Sequence, residues 1–224
     1  MAVIHRTTMS PGKLELLAAW MPSKPWYRGG DAPLLTKAGG FRLDDPEGEV
    51  GIEFMVVTDT SGDSPVTYQV PMTYRGAPLA SAADGLIGTS EHGVLGRRWI
   101  YDGAHDVVLV EQLLALLAGR TTAQDQNASD APDPTVEVLA GDAGVPAGLL
   151  GPGAVTDASD ATVVGVGPAG REPALPLALS LSRVLTPGPA ATDGSALGQL
   201  LTRWTDADGA EHRGVFAVLR AEKA

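Results

Sequence analysis

Two histidine–carboxylate neighbours have the residue types for acid–base chemistry. Glu91-His92 and His105-Asp106 each set an imidazole, which titrates near neutrality, beside a carboxylate that can orient it. Such a pair is suited to proton transfer. The same residues also suit a plainer role, with Asp106 capping a helix and His105 satisfying a turn. No nucleophile or oxyanion donor accompanies them. His92, His105 and the nearby carboxylates lack a recognised metal-ligand spacing, so no metal is expected.

A second group pairs cations with aromatics. Arg97-Arg98 stands beside Trp99 and Tyr101. Guanidinium forks bind carboxylate or phosphate, and aromatic faces stack on sugars. The alternative is a strand with one face in the core and arginine on its wet face. Trp26-Tyr27-Arg28 poses the same choice. Neighbours in an extended loop point to opposite sides, so one ring can be buried and one exposed, and Trp26 reads as the structural one. The ligand-binding candidates are Trp26, Arg28, His92, Arg97, Arg98, Tyr101 and His105. No catalytic residue is assigned and no cofactor is expected. The glycine-rich segments 144–153 and 165–170 lack both the Gly-Lys-Ser/Thr ending and the Gly-x-Gly-x-x-Gly pattern of phosphate loops, and read as turns.

These residues must be positioned by the stretch 67–119. Val66, Tyr68, Val70, Met72 and Tyr74 alternate with polar residues and Pro71, which predicts a strand. Pro71 cannot donate to a ladder, so its nitrogen should face away from a neighbour. Residues 93–101 read as the partner strand, with Trp99 expected in the core. Val107, Val110, Leu113, Leu114 and Leu117 recur at helical spacing, between an Asp106 cap and Gly119 at the end. Upstream, a first strand is expected over 1–9. Ser10-Pro11 signals a helix start, with Leu14, Leu17 and Met21 on one face. Strands follow over 34–43 and 48–58. Nine of the eleven aromatics precede Asp106, so the better packed core is expected there. Residues 120–134 are polar and proline-bearing, and read as a linker. Beyond them, apolar runs at 135–139, 162–166, 176–185, 197–204 and 215–219 predict a β-rich second part with a hairpin turn at 206–209 and a looser core.

Composition narrows the classes of function. Asp and Glu outnumber Lys and Arg 27 to 16, a formal charge of −11, which argues against nucleic acid or anionic membrane as partner. The absence of cysteine excludes disulfides and thiolate chemistry. No signal peptide or membrane-spanning run is apparent, so a cytoplasmic protein is the expectation. Abundant Ala, Gly, Asp, Val and Leu with few Lys suggests a GC-rich bacterial source.

Several phrases resemble the N-terminal cap and lobe of actinobacterial maltokinases and related sugar kinases, including glucosamine kinases. They are Leu17-Ala18-Ala19-Trp20-Met21-Pro22 with Trp26-Tyr27, then the run 68–79 containing Val70-Pro71-Met72 and Tyr74-Arg75-Gly76, and the run 99–119 with His105-Asp106 and its leucine helix. The resemblance covers roughly residues 10–119. It implies an α+β fold, a cystatin-like antiparallel sheet wrapped on a helix over 1–119. A β-rich intermediate subdomain would follow over 135–224, joined by the linker 120–134. In that family a large helical lobe supplies catalysis. Within these residues there is no His-x-Asp loop with a downstream Asn, no Asp-Phe-Gly-like site, and no lysine between Lys37 and Lys223. The expectation is therefore a non-catalytic, cap-like binding or regulatory module linked to sugar or α-glucan metabolism, with a sugar or a separate catalytic protein as partner. The alternatives are an accessory subunit docking on a separate kinase catalytic lobe, or a small enzyme using the His92/His105 region.

Overall fold

The computed structural model describes residues 8–128, 130–168, 177–190 and 194–221. The fold is α+β and strongly β-rich. Thirteen antiparallel strands join one sheet among the described residues. They are β1 (Met9–Ser10), β2 (Leu35–Leu43), β3 (Gly51–Asp59), β4 (Val66–Arg75), β5 (Leu86–His92), β6 (Gly96–Asp102), β7 (Glu137–Ala140), β8 (Leu149–Leu150), β9 (Val155–Asp157), β10 (Ala161–Pro168), β11 (Leu177–Ser182), β12 (Ala196–Thr205) and β13 (Glu211–Ala221). The helices are α1 (Lys13–Trp20) and α2 (Val107–Leu117). Residues 1–7 of the expected first strand, Gly170 and Pro176 lie outside the described residues.

The sheet order is β1-β5-β6-β4-β3-β2-β12-β13-β11-β10-β8, with β7 also on β12 and β9 on β10. It therefore runs through both stretches that flank residues 120–134. It also returns on itself. Past β11 the chain reaches β4, where Gln69 N donates to Arg183 O at 2.9 Å and Leu185 N to Thr67 O at 2.8 Å. Strands β4, β3, β2, β12, β13 and β11 thus close a ring. The segment 120–134 is tied to that ring, because Arg42 and Gln124 exchange backbone hydrogen bonds of 2.9 Å in both directions.

Alternation along β3 separates two cores. Ile52, Phe54 and Val56 face one cluster with Phe41, Phe216 and the leucines of α2. Met55 and Val57 face the other, with Leu17 and Trp20 of α1, Trp26, Tyr68, Val70 and Met72. Adjacent strand residues point to opposite faces, so a strand covered on both sides is apolar almost throughout. The first core is shared by both parts of the chain. Val164, Leu179, Leu200 and Phe216 pack with Phe41 and Phe54, so the expected looser core in the second part is corrected: aliphatic side chains fill the space that aromatics do not.

Helix ends follow local chemistry. Asp106 Oδ1 accepts from Val108 N at 3.0 Å and caps α2. Gly119 (φ 67°) ends it in a left-handed turn, with Gly119 N to Leu116 O and Arg120 N to Ala115 O. The start of α1 corrects the sequence expectation. Gly12, not Ser10, is the cap, because Glu15 reaches back to accept from Gly12 N at 2.6 Å.

Pro71 sits where its missing donor costs nothing. Gln69 N faces Arg183, and residues two apart face the same edge, so the Pro71 nitrogen falls between segment 183–185 and the β6 pairing, which begins at Met72. Trp99 is a second correction. It is half-buried and belongs to neither core; the buried residues of β6 are Ile100, Tyr101 and Asp102. Trp99 stands opposite Arg75 and Thr89, next to Ile100, which is the β6 residue that enters the second core.

The two tryptophans should separate in a denaturation experiment. Trp26, fully buried between Trp20 and Tyr68, should cost about 3–5 kcal/mol on change to Ala, as large aromatic truncations do. Trp99→Ala should cost clearly less. Equal losses in urea titrations would contradict the burial difference.

Candidate functional site

The candidate residues fall at two ends of β4. Trp26 is buried with its ring centroid 5.7 Å from Trp20 and 5.9 Å from Tyr68. Arg28 is exposed, while its backbone N donates to the Tyr68 hydroxyl at 2.9 Å. Tyr27 between them packs on the same Tyr68 ring and donates to Asp59 Oδ2 at 2.6 Å. Burial, and that bond to a negative group, push the Tyr27 hydroxyl up to about 12. Arg98 lies beyond the other end of β4, beside Gly76. Seven strand residues, roughly 23 Å, separate Tyr68 from Arg75, so Trp26 and Arg28 do not meet Arg97 or Arg98.

At the Arg75 end, neighbouring candidates take different roles. His92 Nδ1 accepts from Val94 N at 3.3 Å and Leu95 N at 3.1 Å, holding the β5–β6 turn. Arg97 is exposed and pairs with Glu91 at 3.0 Å. Arg98 is half-buried, donates to Leu95 O, and forms no ion pair among the described residues. Tyr101 is buried, and its hydroxyl accepts from Leu79 N at 2.8 Å, pinning the turn 76–79. His105 packs against Gly85, where an added Cβ would lie 2.7 Å from the His105 Cβ.

A cleft of about 460 Å³ opens here, lined by Glu49, Val50, Arg75, Arg98 and the turn 76–79. Its two arginines differ. Arg75 donates through Nε and Nη2 to the two oxygens of Asp106, at 2.7 and 2.6 Å. With Thr73 Oγ1 at 2.6 Å and the Val108 amide, the buried Asp106 carboxylate accepts four hydrogen bonds. That network fixes Arg75 and the start of α2 together.

Sequence reasoning missed a deeper cluster. Arg183 is fully buried, and its Nη2 donates to both oxygens of Asp102, at 2.7 and 2.5 Å. Its Nε donates to Thr162 Oγ1 at 2.7 Å, and Thr162 donates to Asp157 at 2.5 Å. The guanidinium also lies 5.3 Å from the Trp26 ring centroid. The signal was legible: Leu177, Leu179, Leu181 and Leu185 are buried at period two, and Arg183 takes the next place in that row. A cation in a core row demands a buried carboxylate. Glu53 is the analogous acid. It lies between Ile52 and Phe54 and accepts from Lys13 Nζ at 2.5 Å and the Tyr74 hydroxyl at 2.6 Å. Burial raises its pKa, but the Lys13 charge and these two hydrogen bonds outweigh burial and hold it below its ordinary 4.5. Among the described residues, no group of three His, Asp or Glu is placed to hold a metal ion, and no helix is long and apolar enough to cross a membrane.

Residues 20–106 match the maltokinase N-terminal cap domain family. This part of the chain, β2 to β6 with the Asp106 cap, is maltokinase N-terminal cap-like. The match is narrower than the 10–119 resemblance and leaves most of α1 and all of α2 outside it. No curated protein matches the chain.

Two outcomes test the buried charges. Asp102→Ala or Arg183→Ala alone should cost about 3–5 kcal/mol, since each strands its partner's charge in the interior. The double change Asp102→Leu with Arg183→Met should recover much of that loss; a double variant as unstable as the sum of the singles would refute the coupling. For Glu53 the folded pKa is the depressed one, so its contribution is present above about pH 4.5 and is lost as pH falls through the folded value. Glu53→Gln should therefore be less stable near neutrality and show a shallower acid limb in melting curves below that pH.

Proposed function

We propose that this chain, cap-like over residues 20–106, works as a binding or regulatory module and not as the seat of a reaction. Its working partner in this reading is a kinase catalytic part, and its setting is sugar or α-glucan metabolism; the family match supports both. The stretch 1–119 is then a cystatin-like cap, and 135–224 is a β-rich buttress against it.

One observation carries the non-catalytic reading. The groups best suited to acid–base work are spent on construction. Asp106 accepts four hydrogen bonds within the protein, Asp102 is consumed by Arg183 and Ala104 N, and His92 Nδ1 holds two backbone amides. A general acid or base must reach a proton on the substrate, and these atoms are already engaged. The same placement weighs against a small enzyme built on His92 and His105.

Incubation of the purified chain with ATP, magnesium and maltose, glucose or glucosamine should give no sugar phosphate. Phosphoryl transfer needs ligands that hold metal against the nucleotide phosphates and a residue that orients the accepting hydroxyl. Turnover that copurifies with the protein and disappears in His105→Ala would overturn the module reading.

A further inference from the structure

We infer that the cleft between Arg98 and the turn 76–79 is a binding site for an oxyanion, a phosphate or carboxylate group. Arg98 is the unneutralised cation of this cleft. Asp106 satisfies Arg75 with a two-pronged pair, and Asp45 adds further negative charge near Arg75. Arg97, the neighbour in sequence, spends its charge on Glu91 at the exposed face. Among the described residues, Arg98 has no carboxylate within ion-pair distance, and its buried Nε has no hydrogen-bonding partner.

A buried N–H without an acceptor is costly, and a charged one more so. An oxyanion entering the cleft would supply the counter-charge that the Arg98 guanidinium lacks. The guanidinium is already oriented. Its Nη2 is tied to Leu95 O, and its Nη1 lies against Gly76, 3.0 Å from where a Cβ would stand. The turn it faces is itself held, through Leu79 N on the Tyr101 hydroxyl. Little ordering of protein is therefore left for binding to impose. Glu49 is exposed and also lines the cleft, and its carboxylate opposes a second negative group there, so the charge of Arg98 has to prevail over it. This inference does not depend on the module reading, since a protein can bind an oxyanion whether or not it turns over a sugar.

The test is a titration of the whole chain with inorganic phosphate, at constant ionic strength, followed by nitrogen–proton correlation spectra. The Arg98 Nε–H and the Gly76 and Ala77 amides should shift and saturate. Acetate is the second arm: a response to acetate as well assigns the site to carboxylates too, and a response to phosphate alone assigns it to phosphate. Arg98→Gln should weaken the response about ten-fold or more, because it removes both charge and fork. Gly76→Ala, whose methyl would press on Arg98 Nη1, should weaken it as well. Unchanged resonances elsewhere in each variant would establish that the fold persists. Absence of saturating shifts with both anions, or shifts that survive Arg98→Gln, would overturn the inference.

Discussion

Asp102 and Arg183 stand 81 residues apart in sequence and bring opposite charges together in the interior. Removing each from water costs several kcal/mol, so the pair persists only where geometry returns that cost. Here Arg183 Nη2 reaches both carboxylate oxygens, its Nε is taken by Thr162, and the Ala104 amide donates to Asp102. The carbonyl of Arg183 accepts from Gln69 as well. One residue thus joins the end of β6 to β10 through its side chain, and closes the sheet onto β4 through its backbone. A mispaired register would strand a guanidinium among leucines, which makes the pair a device for choosing one closure as much as a source of stability.

With the ring closed, β3 becomes the partition of the molecule. Its neighbours β2 and β4 cover its edges, α1 packs on one face, and the other looks into the core shared with α2. A partition of this kind leaves no wet face, so its polar residues must be matched: Glu53, for one, meets Lys13 from α1 and Tyr74 from β4. Helix α1 is therefore held by charge and by packing at once. Lys13 is part-exposed and contributes less through charge than the burial of Leu17 and Met21 does.

What could be read from the sequence was local. Period two marked β3 and β4, short apolar runs marked β10 to β13, and the turn at 206–209 marked the hairpin between β12 and β13; helical spacing with Asp106 and Gly119 marked α2 and both its ends. The misses share one cause. Strand β5 is glycine-bearing, polar and half-exposed, so no alternation marks it. Trp99 has the composition of a core residue, but burial depends on which neighbours reach its end of the sheet. Ring closure rests on two backbone hydrogen bonds between segments more than 100 residues apart, and a single sequence without its relatives does not register such pairs. The sequence left the candidate residues open between building the structure and binding a ligand; that Arg98 differs from Arg97 could be read only once Glu91 was seen to hold Arg97.

Electrostatics around the cleft turn on distance. The chain as a whole carries −11, which repels anions at long range. Salt screens that field over about 8 Å under physiological conditions, so a ligand inside the cleft responds mainly to the groups lining it. There, Asp106 is doubly useful. It places negative charge at the amino end of α2, where the helix dipole favours it, and it holds the Arg75 guanidinium in a fixed plane. Arg75 can then shape the cleft while contributing little net charge. The cation left without a carboxylate is Arg98, held by Leu95 O and standing beside Gly76, with Glu49 also lining the cleft. An arginine fixed by neutral groups keeps its full charge available at small entropic cost, which is the arrangement the proposed oxyanion site requires.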